Sequence, residues 1–160
     1  MAANGSIPSS GQRMLAAWSF ATTALRWVGG AILVGIFLAM LGPFGSYLNG
    51  GPVRLIFYWV GTVLLGLALY GAAFKIVSRW VAPGTLYWWS GLVVATLLAS
   101  VPHMFTARAA AFWLWPTLAN LDLSAVLWYK QTVAVGLVAM LGAAFVISQS
   151  AKRQIGRAHV

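Results

Sequence analysis

Four long apolar stretches, separated by glycine, proline and basic residues, set the organisation of the chain. The first runs from Trp27 to Leu41, with Arg26 before it and Pro43 beyond, and part of the preceding Leu15 to Leu25 stretch brings it to spanning length. About 20 residues of helix cover about 30 Å of hydrocarbon. The second, Leu55 to Phe74, is uninterrupted; Arg54 opens it, Tyr58 and Trp59 stand in its first turn, and Lys75 closes it. The third goes from Tyr87 to Val101, with Trp88 and Trp89 at its start and Pro102-His103 at its exit. The fourth, Leu127 to Ile147, carries Lys130 and Gln131 near its start, where a lysine stem extends to the interface. The pattern predicts an all-α membrane protein of four transmembrane helices at about 25–42, 55–74, 86–103 and 127–148.

The breaks are as informative as the runs. Leu41-Gly42-Pro43-Phe44-Gly45-Ser46 ends the first helix, because proline lacks a backbone donor and disfavours helix in the residue before it. Asn49-Gly50-Gly51-Pro52 extends that loop. Lys75, Arg79 and Trp80 read as a short connector that Pro83-Gly84 ends. Residues 106–124 carry Arg108, Phe112, Trp113, Trp115, Pro116 and Asp122, too mixed to span and too aromatic to be freely solvated, so they read as an interfacial segment. Ala31, Gly35 and Ala39, and again Gly91, Ala95 and Ala99, recur every four residues and put small side chains on one helix face, where a neighbouring backbone approaches closely. Gly61, Gly66 and Gly71 are spaced by five and form no single face.

Composition strengthens the membrane reading. At 160 residues and 61% hydrophobic, with 7% charged, the chain has too little interior to bury its apolar surface as a soluble domain. Ten Lys and Arg stand against the single acid Asp122, and because they fall between the apolar runs they orient the helices rather than form one basic block. With the N-terminus in the cytoplasm, Arg13, Arg26, Lys75, Arg79, Lys152 and Arg153 lie inside and Arg54, Arg108 and Lys130 outside, which favours both termini cytoplasmic. Tyr47, Trp59, Trp113 and Trp128 then form the outer aromatic belt and Trp27, Trp80, Trp88 and Trp89 the inner one. Residues 1–24 form a cytoplasmic N-terminal segment and the start of the first helix, with no cleavable signal pattern.

Candidate chemistry is sparse. The absence of cysteine excludes disulfides and thiolate chemistry. His103 and Asp122 are the ordinary proton-transfer groups of residues 1–154, and nothing in their spacing holds them within reach of each other, so no catalytic residue, cofactor or metal ligand is expected. No charged residue sits at mid-depth in any run, unlike the pathway of an ion-coupled transporter. His103 reads either as a pH-sensitive group or as an interfacial histidine at the outer end of the third helix.

The Leu41-Gly42-Pro43-Phe44-Gly45-Ser46 exit, followed by Arg54, Leu55, Tyr58 and Trp59, resembles the first periplasmic loop of membrane-bound LytTR-family transcriptional regulators of alphaproteobacteria, sphingomonad-like ones especially. Ser100-Val101-Pro102, with His103 and Met104 after it, is similar to a turn in the same region of that family. The resemblance implies four transmembrane helices of a bacterial inner membrane ahead of a cytoplasmic LytTR DNA-binding domain, with Gly42, Pro43, Phe44, Gly45, Arg54, Tyr58, Trp59, Pro102 and His103 as family-marker or signalling positions. No residue of that DNA-binding domain is in the chain, so DNA contact is expected only through what would follow a linker stub at 149–154. Ile155-Gly156-Arg157-Ala158-His159-Val160 is encoded in one frame by ATC GGA AGA GCA CAC GTC, which resembles a common sequencing adapter, and is read as adapter sequence, with a genuine short basic tail as the alternative. The expected function is a sensory or regulatory membrane module whose partners are the bilayer and a membrane protein or second copy. The alternative is a structural or partner-binding membrane protein without regulatory output.

Overall fold

The computed structural model describes residues 10–43, 46, 48, 50–121 and 123–157. Four long helices follow one another: α1 (Ser10–Leu41), α2 (Pro52–Trp80), α3 (Leu86–Leu114) and α4 (Ala125–Arg157), with a short 3-10 turn at Pro116–Asn120 between the last two. All four contain stretches long and apolar enough to cross a membrane. At 29 residues, α2 and α3 are each about 43 Å long, more than the hydrocarbon thickness, so their ends reach into the interfaces or the helices tilt.

The helix ends follow from local chemistry. Gly42 takes the left-handed conformation (φ 57°) and its N–H bonds Leu38 O at 2.9 Å, which closes α1 before Pro43. Gly51, also left-handed, leads into Pro52 at the first position of α2, where a missing N–H costs nothing. The Thr85 hydroxyl accepts from Trp88 N at 3.2 Å and caps α3. Thr85→Ala is expected to destabilise the fold by about 1 kcal/mol, read from reversible unfolding in bicelles.

α3 is the central helix: 28% of its apolar window is buried inside the protein against 17% for each of the others. It packs between α2 and α4, α1 packs on α2, and α2 touches α4 lightly. Most of the remaining apolar side chains, such as Phe37, Leu98 and Val138, point outward to lipid, where they cost nothing. Close packing and hydrogen bonds therefore hold the helices together. The Ala31, Gly35 and Ala39 stripe is buried, and a Cβ added at Gly35 would stand 2.6 Å from Val60 Cα. In α3 the buried line is Trp88, Leu92, Thr96 and Ser100, one position on from Gly91, Ala95 and Ala99, which are half-buried.

Three sequence expectations are corrected. Lys75, Arg79 and Trp80 belong to α2, which runs on to Trp80. Residues 106–114 belong to α3, which runs straight through Pro102, rather than to a segment separate from it. Pro102 leaves Leu98 O without its usual backbone donor, yet α3 stays helical through it, as membrane helices tolerate; Tyr129 Oη donates to the neighbouring Leu97 O at 3.1 Å. Trp88 is not an interfacial anchor. It is 1% exposed, and its indole Nε1 donates to Ser78 Oγ at 3.0 Å.

Candidate functional site

Midway along the α2–α3 pair, polar side chains replace the apolar packing. Gly66 and Ser100 are each the fifteenth residue of their 29-residue helices, so the region around them lies midway along both. On α2, Tyr58, Thr62, Gly66 and Tyr70 fall on one line at four-residue spacing; on α3 the facing line includes Thr96, Ser100 and His103. Gly66 leaves room for the imidazole, since a Cβ there would stand 3.1 Å from His103 Cε1.

A continuous hydrogen-bonded chain results. His103 Nε2 lies 3.0 Å from Thr62 O, and His103 Nδ1 lies 3.0 Å from Tyr70 Oη. Tyr70 Oη lies 3.0 Å from Ser100 Oγ, which in turn donates to Thr96 O at 2.8 Å. The Thr62 carbonyl has no hydrogen to give, so Nε2 carries one and donates it. His103 and Tyr70 are 9% and 8% exposed, Ser100 and Thr96 not at all. Such a cluster in lipid is kept only with its partners satisfied, because a lone polar group there has no water to turn to.

The cluster also reaches α4. A Cβ built on Gly136 would stand 2.6 Å from Tyr70 Oη and 2.7 Å from Tyr70 Cζ, so glycine is what lets α4 seat against the phenol. Tyr70 thus meets α3 through two hydrogen bonds and α4 through direct packing. Below it, Tyr70 joins Trp88, Leu92, Met140 and Ala144 in an apolar cluster shared by α2, α3 and α4.

The Gly42 to Trp59 marker positions assemble elsewhere. Ala39, Leu55, Ala111 and Trp115 form a second buried cluster, with Tyr58 and Trp59 packed on it. Tyr58 meets Trp59 and Trp115 edge to face at 5.4 and 5.6 Å, and Trp59 Nε1 donates to Ser46 Oγ at 3.1 Å. Exposed Arg54 donates from Nη1 to Leu114 O at 3.4 Å. Gly42 is buried, Pro43 half-buried, and Phe44 and Gly45 lie outside the described residues, as does Asp122. Trp115 Nε1 is buried without an acceptor among the described residues. Beside this cluster an apolar groove of about 510 Å³ runs between α2 and α3, lined by Phe57, Gly61, Thr62, Thr106, Ala110 and Trp113 among others. Both of its threonine hydroxyls donate to their own helix backbones, which leaves hydrocarbon as its natural filling.

The sequence positions therefore divide. Arg54, Tyr58 and Trp59 come together with Trp115, while His103 lies about 18 Å along α3 from Trp115, twelve residues at helical rise. His103 is a buried member of the polar chain and does not stand at a helix exit, and Pro102 beside it is exposed on the outer side of the same helix. Sequence reasoning missed Thr62, Tyr70, Thr96, Ser100 and Gly136. The available signal was polar residues recurring at four-residue spacing inside apolar runs, which in a membrane mark an inward face. Among the described residues no three His, Cys, Asp or Glu side chains gather into a metal-binding group. Comparison with protein-family models, curated proteins and solved structures finds no match to this chain.

Proposed function

We propose that this chain is the sensory or regulatory membrane module of a LytTR-type transcriptional regulator of a bacterial inner membrane, with both termini cytoplasmic, and that α4 carries its output to a cytoplasmic DNA-binding domain. The observation that carries this reading is the Tyr70 hydroxyl, bonded to His103 and Ser100 of α3 and pressed on Gly136 of α4. A signalling module needs an internal element whose rearrangement changes the position of the output helix. A buried polar chain with more than one hydrogen-bonding arrangement, seated on α4, meets that need. The Gly42 to Trp59 resemblance and the excess of cations on one side of the spans support the same reading.

The test is a promoter reporter driven by the full-length gene. Tyr70→Phe, with protein level and membrane insertion held equal, is expected to change output about fivefold or more, the range of a coupling free energy of about 1 kcal/mol. Unchanged output and promoter occupancy across growth conditions, for this variant and for a version lacking the membrane region, would sink the proposal.

A further inference from the structure

We infer that His103 is a proton-binding site whose occupancy reverses the direction of the buried hydrogen-bond chain. The inference follows from counting hydrogens. Four contacts must be served: His103 Nε2 to Thr62 O, Nδ1 to Tyr70 Oη, Tyr70 Oη to Ser100 Oγ, and Ser100 Oγ to Thr96 O. With neutral imidazole only three hydrogens are present, on Nε2, Tyr70 and Ser100. Nε2–H serves Thr62, the Tyr70 hydroxyl must donate to the Nδ1 lone pair, and Ser100 chooses between Thr96 O and Tyr70 Oη. One contact lacks a hydrogen.

A proton added to Nδ1 brings the count to four. Nδ1–H then donates to Tyr70 Oη, the Tyr70 hydroxyl turns to donate to Ser100 Oγ, and Ser100 donates to Thr96 O. Every contact holds one hydrogen, and the chain runs in one direction from imidazolium to the Thr96 carbonyl. No covalent bond changes except the new N–H. His103 and Tyr70 keep 9% and 8% exposure while Ser100 and Thr96 keep none, so the histidine–tyrosine end of the chain is the one nearest the surface of the protein.

The groups facing this site are few. α2 presents Tyr70, with Tyr58 two turns from Gly66 and packed on Trp115. α4 presents Gly136 to Tyr70, and its Tyr129 hydroxyl is engaged by Leu97 O. On α3 itself, the Arg108 guanidinium lies over the Phe112 ring at 5.0 Å. The cations Arg54, Lys75, Arg79 and Lys130 are exposed, towards the ends of α2 and α4. No carboxylate from the described residues faces the imidazole, so its charge is met by the oxygens of Thr62 and Tyr70. The Tyr70 hydroxyl, the group that turns, is also the one pressed on Gly136. Use of this proton as the signal rests on the regulatory reading above; the binding itself does not.

The experiment uses the whole chain in lipid bilayers, with His159→Gln leaving one histidine, and ¹⁵N-histidine and ¹³C-tyrosine NMR between about pH 5 and 8. Nδ1 is expected to pass from lone pair to N–H, with the Tyr70 Cζ signal moving at the same midpoint. Tyr70→Phe is expected to change the proton affinity about tenfold, and Ser100→Ala, which keeps the His103–Tyr70 contact, by a smaller factor. An Nδ1 that stays unprotonated throughout overturns the inference, as does a histidine that titrates with the Tyr70 signal still and both variants unchanged. The reporter separates the two readings. Titration in the bilayer with a reporter indifferent to pH supports the site and overturns its regulatory use, whereas a responsive reporter with no titration overturns the site.

Discussion

Replacing Gly35 with leucine is expected to weaken the α1–α2 contact by about 3 kcal/mol, the upper end of what overpacking costs. The neighbour that a Cβ would meet at 2.6 Å is Val60 Cα, with Val60 N at 2.9 Å, so backbone has to move and no side chain can swing aside. α1 has α2 as its main neighbour, and in lipid its outward apolar residues add nothing to hold it there. Gly61→Leu supplies the control on the same α2, because a Cβ at Gly61 meets nothing within 4 Å; its effect is expected to stay within about 0.5 kcal/mol. Unfolding of the two variants in bicelles, together with α1–α2 cross-linking, reads the difference. Equal stability of the two would refute the close crossing at Gly35.

Gly136→Ala is expected to cost about 2 kcal/mol and to displace α4, for a related but distinguishable reason. Here the group in the way is the far end of a side chain, the Tyr70 hydroxyl at 2.6 Å. A free phenol would move. This one is held by His103 Nδ1 and Ser100 Oγ, both 3.0 Å away, so moving it breaks hydrogen bonds as well as packing. Membrane hydrogen bonds average only about 0.6 kcal/mol, which makes the steric conflict the larger part. In a Tyr70→Phe background the ring atom at 2.7 Å stays but the hydroxyl and the hydrogen bonds that hold the ring in place are gone, and the cost of Gly136→Ala is expected to fall by about 1 kcal/mol. A double-mutant cycle in bicelles measures that coupling, and additive effects would separate α4 from the polar chain.

The two glycines also show how much could be read without coordinates. Gly35 was legible because it repeats with Ala31 and Ala39 at four-residue spacing, the signature of one helix face. Gly136 has no such partners; what makes it matter is a tyrosine 66 positions earlier in the chain. The spacing of Tyr58, Thr62 and Tyr70 was visible in α2, and that of Thr96 and Ser100 in α3, but nothing in either pattern says which residues of the two helices stand opposite. His103 was misplaced for a related reason. Its neighbour Pro102 signals a helix end in water, whereas a helix in lipid tolerates proline and α3 runs on through it.

By itself the sequence determined the membrane class and the number of helices, because spanning length and hydropathy are local properties summed over about 20 residues. It determined the end of α1 as well, since Gly42 and Pro43 act on their own backbone. Only the tertiary structure decided that α3 is central, that Trp88 is core, and that His103, Tyr70 and Ser100 meet midway along the helices against α4. Those outcomes depend on the register and rotation of one helix against another. In lipid, where apolar side chains face outward as comfortably as inward, they are set by a few close approaches and hydrogen bonds between residues far apart in the chain.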